Sequence, residues 1–205
     1  MKRPVLVLLM VLLASQISMA FGHESNLWAA HHKRHLSISN TGMMVLGGWA
    51  LANMGTGAWG WSRLQGESMY FHQMNFFWNI VNASIAGFAL YSNWQTDPFS
   101  MDPQLMLSEQ KRMERILLIN AGLDIGYMAG GFLMTRLSSG YPAREQLLRG
   151  YGRSVIMQGA FLLVFDIVLY FIFRSHRTSI IFPAAIAPGL SLDRLPAGMG
   201  ISIGL

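Results

Sequence analysis

The chain predicts an all-α fold, a four-transmembrane-helix bundle preceded by an N-terminal signal peptide or signal anchor. Three observations predict it. Four long stretches are nearly free of formal charge, a short apolar segment with a basic start opens the chain, and a strongly polar side chain stands near the middle of each long stretch: Asn53, Asn82, Asp124 and Asp166. Apolar length alone places a chain in a bilayer. Polar groups inside hydrocarbon are costly and usually face a cavity, a partner or a pathway.

The opening segment, residues 1–20, reads as a signal peptide. Lys2 and Arg3 precede an apolar run from Val5 to Ala14, and Ser18-Met19-Ala20 provides a small-x-small cleavage site before Phe21. An uncleaved anchor is the other reading. Residues 21–177 then form the transmembrane domain, with spans about 41–61, 71–92, 116–137 and 154–174. Leu36 to Ser62 and Met69 to Thr96 contain no Asp, Glu, Lys or Arg, Ile116 to Thr135 contains only Asp124, and Ser154 to Phe173 only Asp166. Each run reaches the roughly 20 residues needed to cross about 30 Å of hydrocarbon. Trp59, Trp61 and Trp94 near the ends suit an interfacial aromatic belt.

Between the spans the punctuation is local. Asp97-Pro98 and Asp102-Pro103 stop the second helix, and Asp102 can cap a new one with Pro103 in its first turn. Ser138-Ser139-Gly140 and Pro142 break the chain before span four. Residues 178–205 form a Pro- and Gly-rich tail.

Composition agrees with a single bundle: 205 residues, 52% hydrophobic and 12% charged, with mean hydropathy +0.35. The chain has no Cys, so thiolate chemistry is excluded. The net charge of +5 falls on segments flanking the spans, where Lys and Arg gather beside anionic lipid headgroups, and makes nucleic acid a poor partner. The expected partner is the lipid bilayer, and the expected location a membrane crossed several times. With an outside start at residue 21, Arg63, Arg136, Arg144, Arg149 and Arg153 face the cytoplasm, whereas Lys33, Arg34, Lys111, Arg112, Arg115, Arg174, Arg177 and Arg194 do not. That opposes the positive-inside rule, so the targeting segment and the charge bias disagree on orientation.

Call the membrane side nearest Thr41 side A. Counting about 1.5 Å per residue, Asn53 lies about 18 Å from side A, Asn82 about 15 Å, Asp124 about 12 Å and Asp166 about 10 Å. Asn75, Asn79 and Asn82 recur at i, i+4 and i+7, and Asn120, Asp124 and Tyr127 repeat the pattern, so each helix carries one polar stripe. The stripes are expected to face one another. On side B, His72, Arg153 and Gln158 would form a mouth, with a polar track leading inward to the acids. The alternative is that these groups bond one another and only fix helix register. Two aspartates at similar depth in a low dielectric cannot comfortably both ionise, so they should share a proton or a cation.

Gly122, Gly126 and Gly130 form a small-residue stripe about 200° around span three from Asn120 and Asp124. It can pack on a neighbour within the bundle, or bind a second copy or another membrane protein. His31 and His35, beside His32, have metal-ligand spacing, but Lys33 and Arg34 between them favour a solvated basic turn. No metal and no cofactor is expected. HExxH and P-loop patterns are absent from the sequence, and neither Ser84 nor Ser154 sits in a Gly-x-Ser-x-Gly turn, which leaves an enzyme the weaker expectation.

The stretches GGWALANMGTG at 47–57, YFHQMN at 70–75, NAGLDIGYMAGGF at 120–132, and RGYGRS with QGAFLLVFD at 149–166 resemble a family of uncharacterised bacterial four-helix membrane proteins. The resemblance covers roughly residues 36–175. It implies that the polar positions belong to a shared core and brings no activity. Two function classes follow from the residues: a bundle that binds or moves a small solute, proton or cation, or a non-enzymatic structural or assembly subunit of a membrane complex.

Overall fold

The computed structural model describes residues 3–99 and 102–186, and the side chains of 26–99 and 102–179. Most of the tail, residues 187–205, lies outside the described residues. Four helices carry the fold: α1 over Arg3–Arg63, α2 over Gly66–Gln95, α3 over Pro103–Leu137 and α4 over Glu145–Ile186. No strand occurs among the described residues. The backbone of α1 continues through position 20 without a break.

Local chemistry places the ends. Gly66, at φ +63°, takes the left-handed conformation that lets the chain reverse after Leu64 and Gln65. Asp102 caps α3, its carboxylate accepting from the backbone N–H of Gln104 at 2.9 Å and of Leu105 at 3.1 Å. Two single 3₁₀ turns, Ser138–Gly140 and Pro142–Arg144, join α3 to α4.

The helices form two antiparallel hairpins, α1 with α2 and α3 with α4. The parallel seam between α2 and α4 joins them, while α1 and α4 touch over a smaller area. Buried positions follow a heptad. On α3 Leu107, Gln110, Glu114, Leu117, Ala121 and Asp124 alternate by three and four, with Gly131 one heptad further on and Met106 beside the row, and on α2 the buried positions are Asn75, Asn79, Asn82 and Ala86. Such spacing is that of left-handed knobs-into-holes packing, where one polar residue on the seam fixes register.

Towards side B the helices close tightly on glycine. A Cβ on Gly152 would sit 2.5 Å from the carbonyl oxygen of Gly131, one on Gly150 would sit 2.5 Å from that of Glu67, and one on Gly57 2.9 Å from the amide of Phe76. Towards side A larger side chains make the packing. Leu117, Leu169 and Phe173 form the apolar core there, flanked by Ile38, Met43 and Phe165.

The stripe Gly122, Gly126 and Gly130 departs from one expectation. A Cβ at any of the three would meet nothing within 4 Å. The stripe faces outward, because the α3 heptad that meets α4 runs through Ala121 and Asp124 instead. The glycines that bring helices together are Gly57, Gly131, Gly150 and Gly152.

Candidate functional site: a carboxamide ring beside a pair of acids

Three helices contribute to a hydrogen-bonded ring at the centre. The Trp49 indole N–H donates to Gln158 Oε1 at 2.9 Å, and the Gln158 amide donates to Asn75 Oδ1. Asn75 Nδ2 donates to Asn53 Oδ1 at 3.0 Å, and Asn53 Nδ2 donates to the carbonyl of Trp49 at 2.8 Å. The circuit therefore ends on the residue where it began. A branch feeds it: Asn82 Nδ2 donates to Asn79 Oδ1 at 3.3 Å, and Asn79 Nδ2 to the Asn75 carbonyl at 2.8 Å. Trp49 is held in place by stacking on Phe161, ring centres 3.9 Å apart and planes 4° from parallel.

The stripe spacing explains the ring on α2. Residues at i, i+4 and i+7 share one face, and that face meets α1 and α4 together. Carboxamides suit the position because each offers donors and an acceptor and carries no charge, so a buried set can satisfy itself.

Asp124 on α3 and Asp166 on α4 form the second feature. Both are buried, 3% and 5% exposed, with their carboxyl groups close enough to act on one another electrostatically. Gly159 lets the two helices approach here, since a Cβ on it would lie 3.1 Å from the carbonyl oxygen of Asp124. Asp124 Oδ2 is buried and receives no donor from the described residues. Carboxylates accept only, so two of them facing one another need a proton or a cation between them. The 83-residue offset that pairs Asn75 with Gln158 on parallel helices also puts Asp166 level with Asn82 and Ala83.

The other sequence candidates fall elsewhere. Asn120 is exposed, and Tyr127, 41% exposed, packs edge-on against Trp78 on the outer surface. They share a sequence stripe with Asp124, but the heptad facing α4 admits only Asp124. Gln158 does not line a mouth with His72 and Arg153; it is fully buried in the ring. Arg153 turns outward to Glu67, 2.5 Å away. His72 lies against Gly60, its Nδ1 buried without a hydrogen-bond partner. Between the side-B residues and the acids, the expected track is filled by directly bonded carboxamides.

A third cluster, expected as a solvated basic turn, is instead buried at His31 and His32. His31 and His32 are 7% and 3% exposed. The His31 ring stacks on His176 of α4 at 3.9 Å and meets the buried Gln110 side chain of α3 at 3.1 Å, while His32 Nδ1 lies 3.3 Å from the Pro98 carbonyl oxygen. Beside them Arg177 forks onto Glu114 at 2.6 and 3.0 Å. Burial pushes the His31 and His35 imidazoles down to about 4, helped by the charge of His176. His176 is lowered as well, again by burial first. No three His, Cys, Asp or Glu side chains among the described residues are arranged to hold a metal ion. The i, i+4 spacing of His31 and His35 could have signalled an inward face; the intervening charges masked it. Trp49 is not among the expected site residues; its place four before Asn53, on the same face of α1, is the signal that marks it.

Residues 45–167 match the profile of a family of unknown function (DUF6992). That segment contains every ring residue and both acids. No curated protein and no solved structure matches the chain.

Proposed function

Because the chain belongs to the family of unknown function DUF6992, we propose from its own geometry that it is a multi-pass membrane protein binding a proton or small cation at Asp124 and Asp166. The observation that carries this reading is the unpartnered Asp124 Oδ2, buried against a second acid. Intramembrane carboxylates of this kind mark proton and ion sites. Passage through the centre has less support, because the carboxamide ring occupies the way to side B.

Two helices, over Pro103–Gly140 and Pro142–Ser179, are long and apolar enough to cross a membrane. Four spans are the proposal. The charge-free lengths of α1 and α2 support it, as do large apolar side chains exposed on every helix, among them Leu51, Val81, Phe88, Ile125 and Phe171. An opening signal peptide or anchor and an inner-membrane location complete the reading.

Infrared spectroscopy of the purified protein tests the site. A protonated buried carboxyl band should be present, should respond to pH or to added monovalent cations, and should vanish in the Asp124→Asn/Asp166→Asn double variant. A wild-type protein without that band, or a band unchanged in the double variant, sinks the reading. The closed ring favours a second reading, a non-enzymatic structural or assembly subunit, in which the polar centre serves only to fix helix register. In that case the double variant would fold and function as the wild type does.

A further inference from the structure

Where α1 and α4 separate towards side A, they leave a groove of about 430 Å³ lined by residues from Arg34 to Val45 on α1 and from Phe161 to Ile172 on α4. Its walls are almost wholly apolar, with Val45, Val164 and Val168 more than half exposed. Gly42 keeps its floor open, since a Cβ there would press on Leu169 at 3.1 Å. Such a volume lies in the range of small-molecule sites, about 300–1,000 Å³.

The groove has a polarity and a length. Eleven residues separate Arg34 from Val45, which at about 1.5 Å each gives about 16 Å. One leaflet of hydrocarbon is about 15 Å thick. Arg34 stands at the outer end, next to the histidine cluster, exposed and without an ion pair among the described residues. Its guanidinium presents a planar fork of donors suited to a phosphate. Ser37, one turn further in, lines the same wall.

The geometry points to a binding site for one anionic phospholipid of the side-A leaflet, its acyl chain in the groove and its phosphate on Arg34. A basic end on an apolar slot between helices is the arrangement that anionic headgroups recognise. This inference rests on the four-span reading. Alkaline extraction of membranes tests that premise separately: release of the protein without detergent sinks the membrane reading itself, whereas retention leaves the groove to be judged alone.

For the groove, the full chain purified in detergent is incubated with phosphatidylglycerol and phosphatidylcholine of identical acyl chains, and bound lipid is counted by native mass spectrometry. Wild type should retain phosphatidylglycerol about fivefold better, the effect of one interfacial arginine on an anionic headgroup. Arg34→Gln should abolish the preference while leaving the chain bound. Val168→Trp, at the exposed lip, should displace both lipids; Val45→Trp makes the same block from the opposite wall if the first variant does not fold. Equal retention of the two lipids by wild type, an undiminished preference in Arg34→Gln, undisturbed lipid in both blocking variants, or displacement of the phospholipid by a free fatty acid would each overturn the proposal.

Discussion

Gln158 on α4 donates a hydrogen bond to the side chain of Asn75 on α2, and that bond couples the two helical hairpins at the centre of the bundle. Asn75 is also the hub: its side chain accepts from Gln158 and, at 3.3 Å, from Asn79, and donates to Asn53. Replacing Asn75 by Leu therefore strands several buried groups at once, at a cost of about 1–3 kcal/mol. Asn82 donates to Asn79 on the same helix, at the end of the branch, and Asn82→Leu should cost less, about 0.5–1 kcal/mol for one hydrogen bond removed from a chain end. Thermal unfolding in detergent compares the two, and equal losses would contradict a hub at Asn75.

Gly152 and Gly126 should respond in opposite ways to added bulk. Gly152→Ala forces a methyl against the Gly131 carbonyl oxygen, so the protein should lose about 1–3 kcal/mol of stability through overpacking. Gly126→Leu meets open space and should leave the melting temperature of the isolated chain unchanged. The same variant tests the outward stripe as a seam for a second copy. A smaller particle in detergent supports the seam, and an unchanged particle removes it.

Acidification should loosen the side-A end. The His31 and His35 imidazoles are held down at about 4 when folded, against 6.5 when free, chiefly by burial. Between those values the unfolded chain binds more protons than the folded one, so stability is full above about pH 6.5 and falls as pH drops towards 4. The groups facing these rings, His32, His176, Arg34 and the paired Glu114 and Arg177, add no carboxylate free to hold the imidazolium. Melting temperature measured from pH 7 to pH 4 should decline in wild type and decline less in His31→Gln/His35→Gln. A flat wild-type profile would refute the linkage.

Local pattern already determined the four helices, the Asp102 cap and the shared face of Asn75, Asn79 and Asn82. All of these depend on residues within about two turns of one another, where helix period and capping chemistry act directly. Tertiary structure decided which face of each helix meets which neighbour. Asn120 and Asp124 lie one turn apart, yet only Asp124 reaches α4; Gly122, Gly126 and Gly130 look like a packing motif and face outward; His31, beside two cationic residues, is buried against His176. In a soluble helix the water-facing side would have identified itself by its charges. Here the outer faces carry large apolar side chains and the inner faces mix apolar residues with carboxamides and acids, so periodicity groups residues without saying which group turns inward. That choice falls to close backbone approach at Gly131 and Gly152 and to the satisfaction of buried carboxamides, which only the assembled bundle supplies.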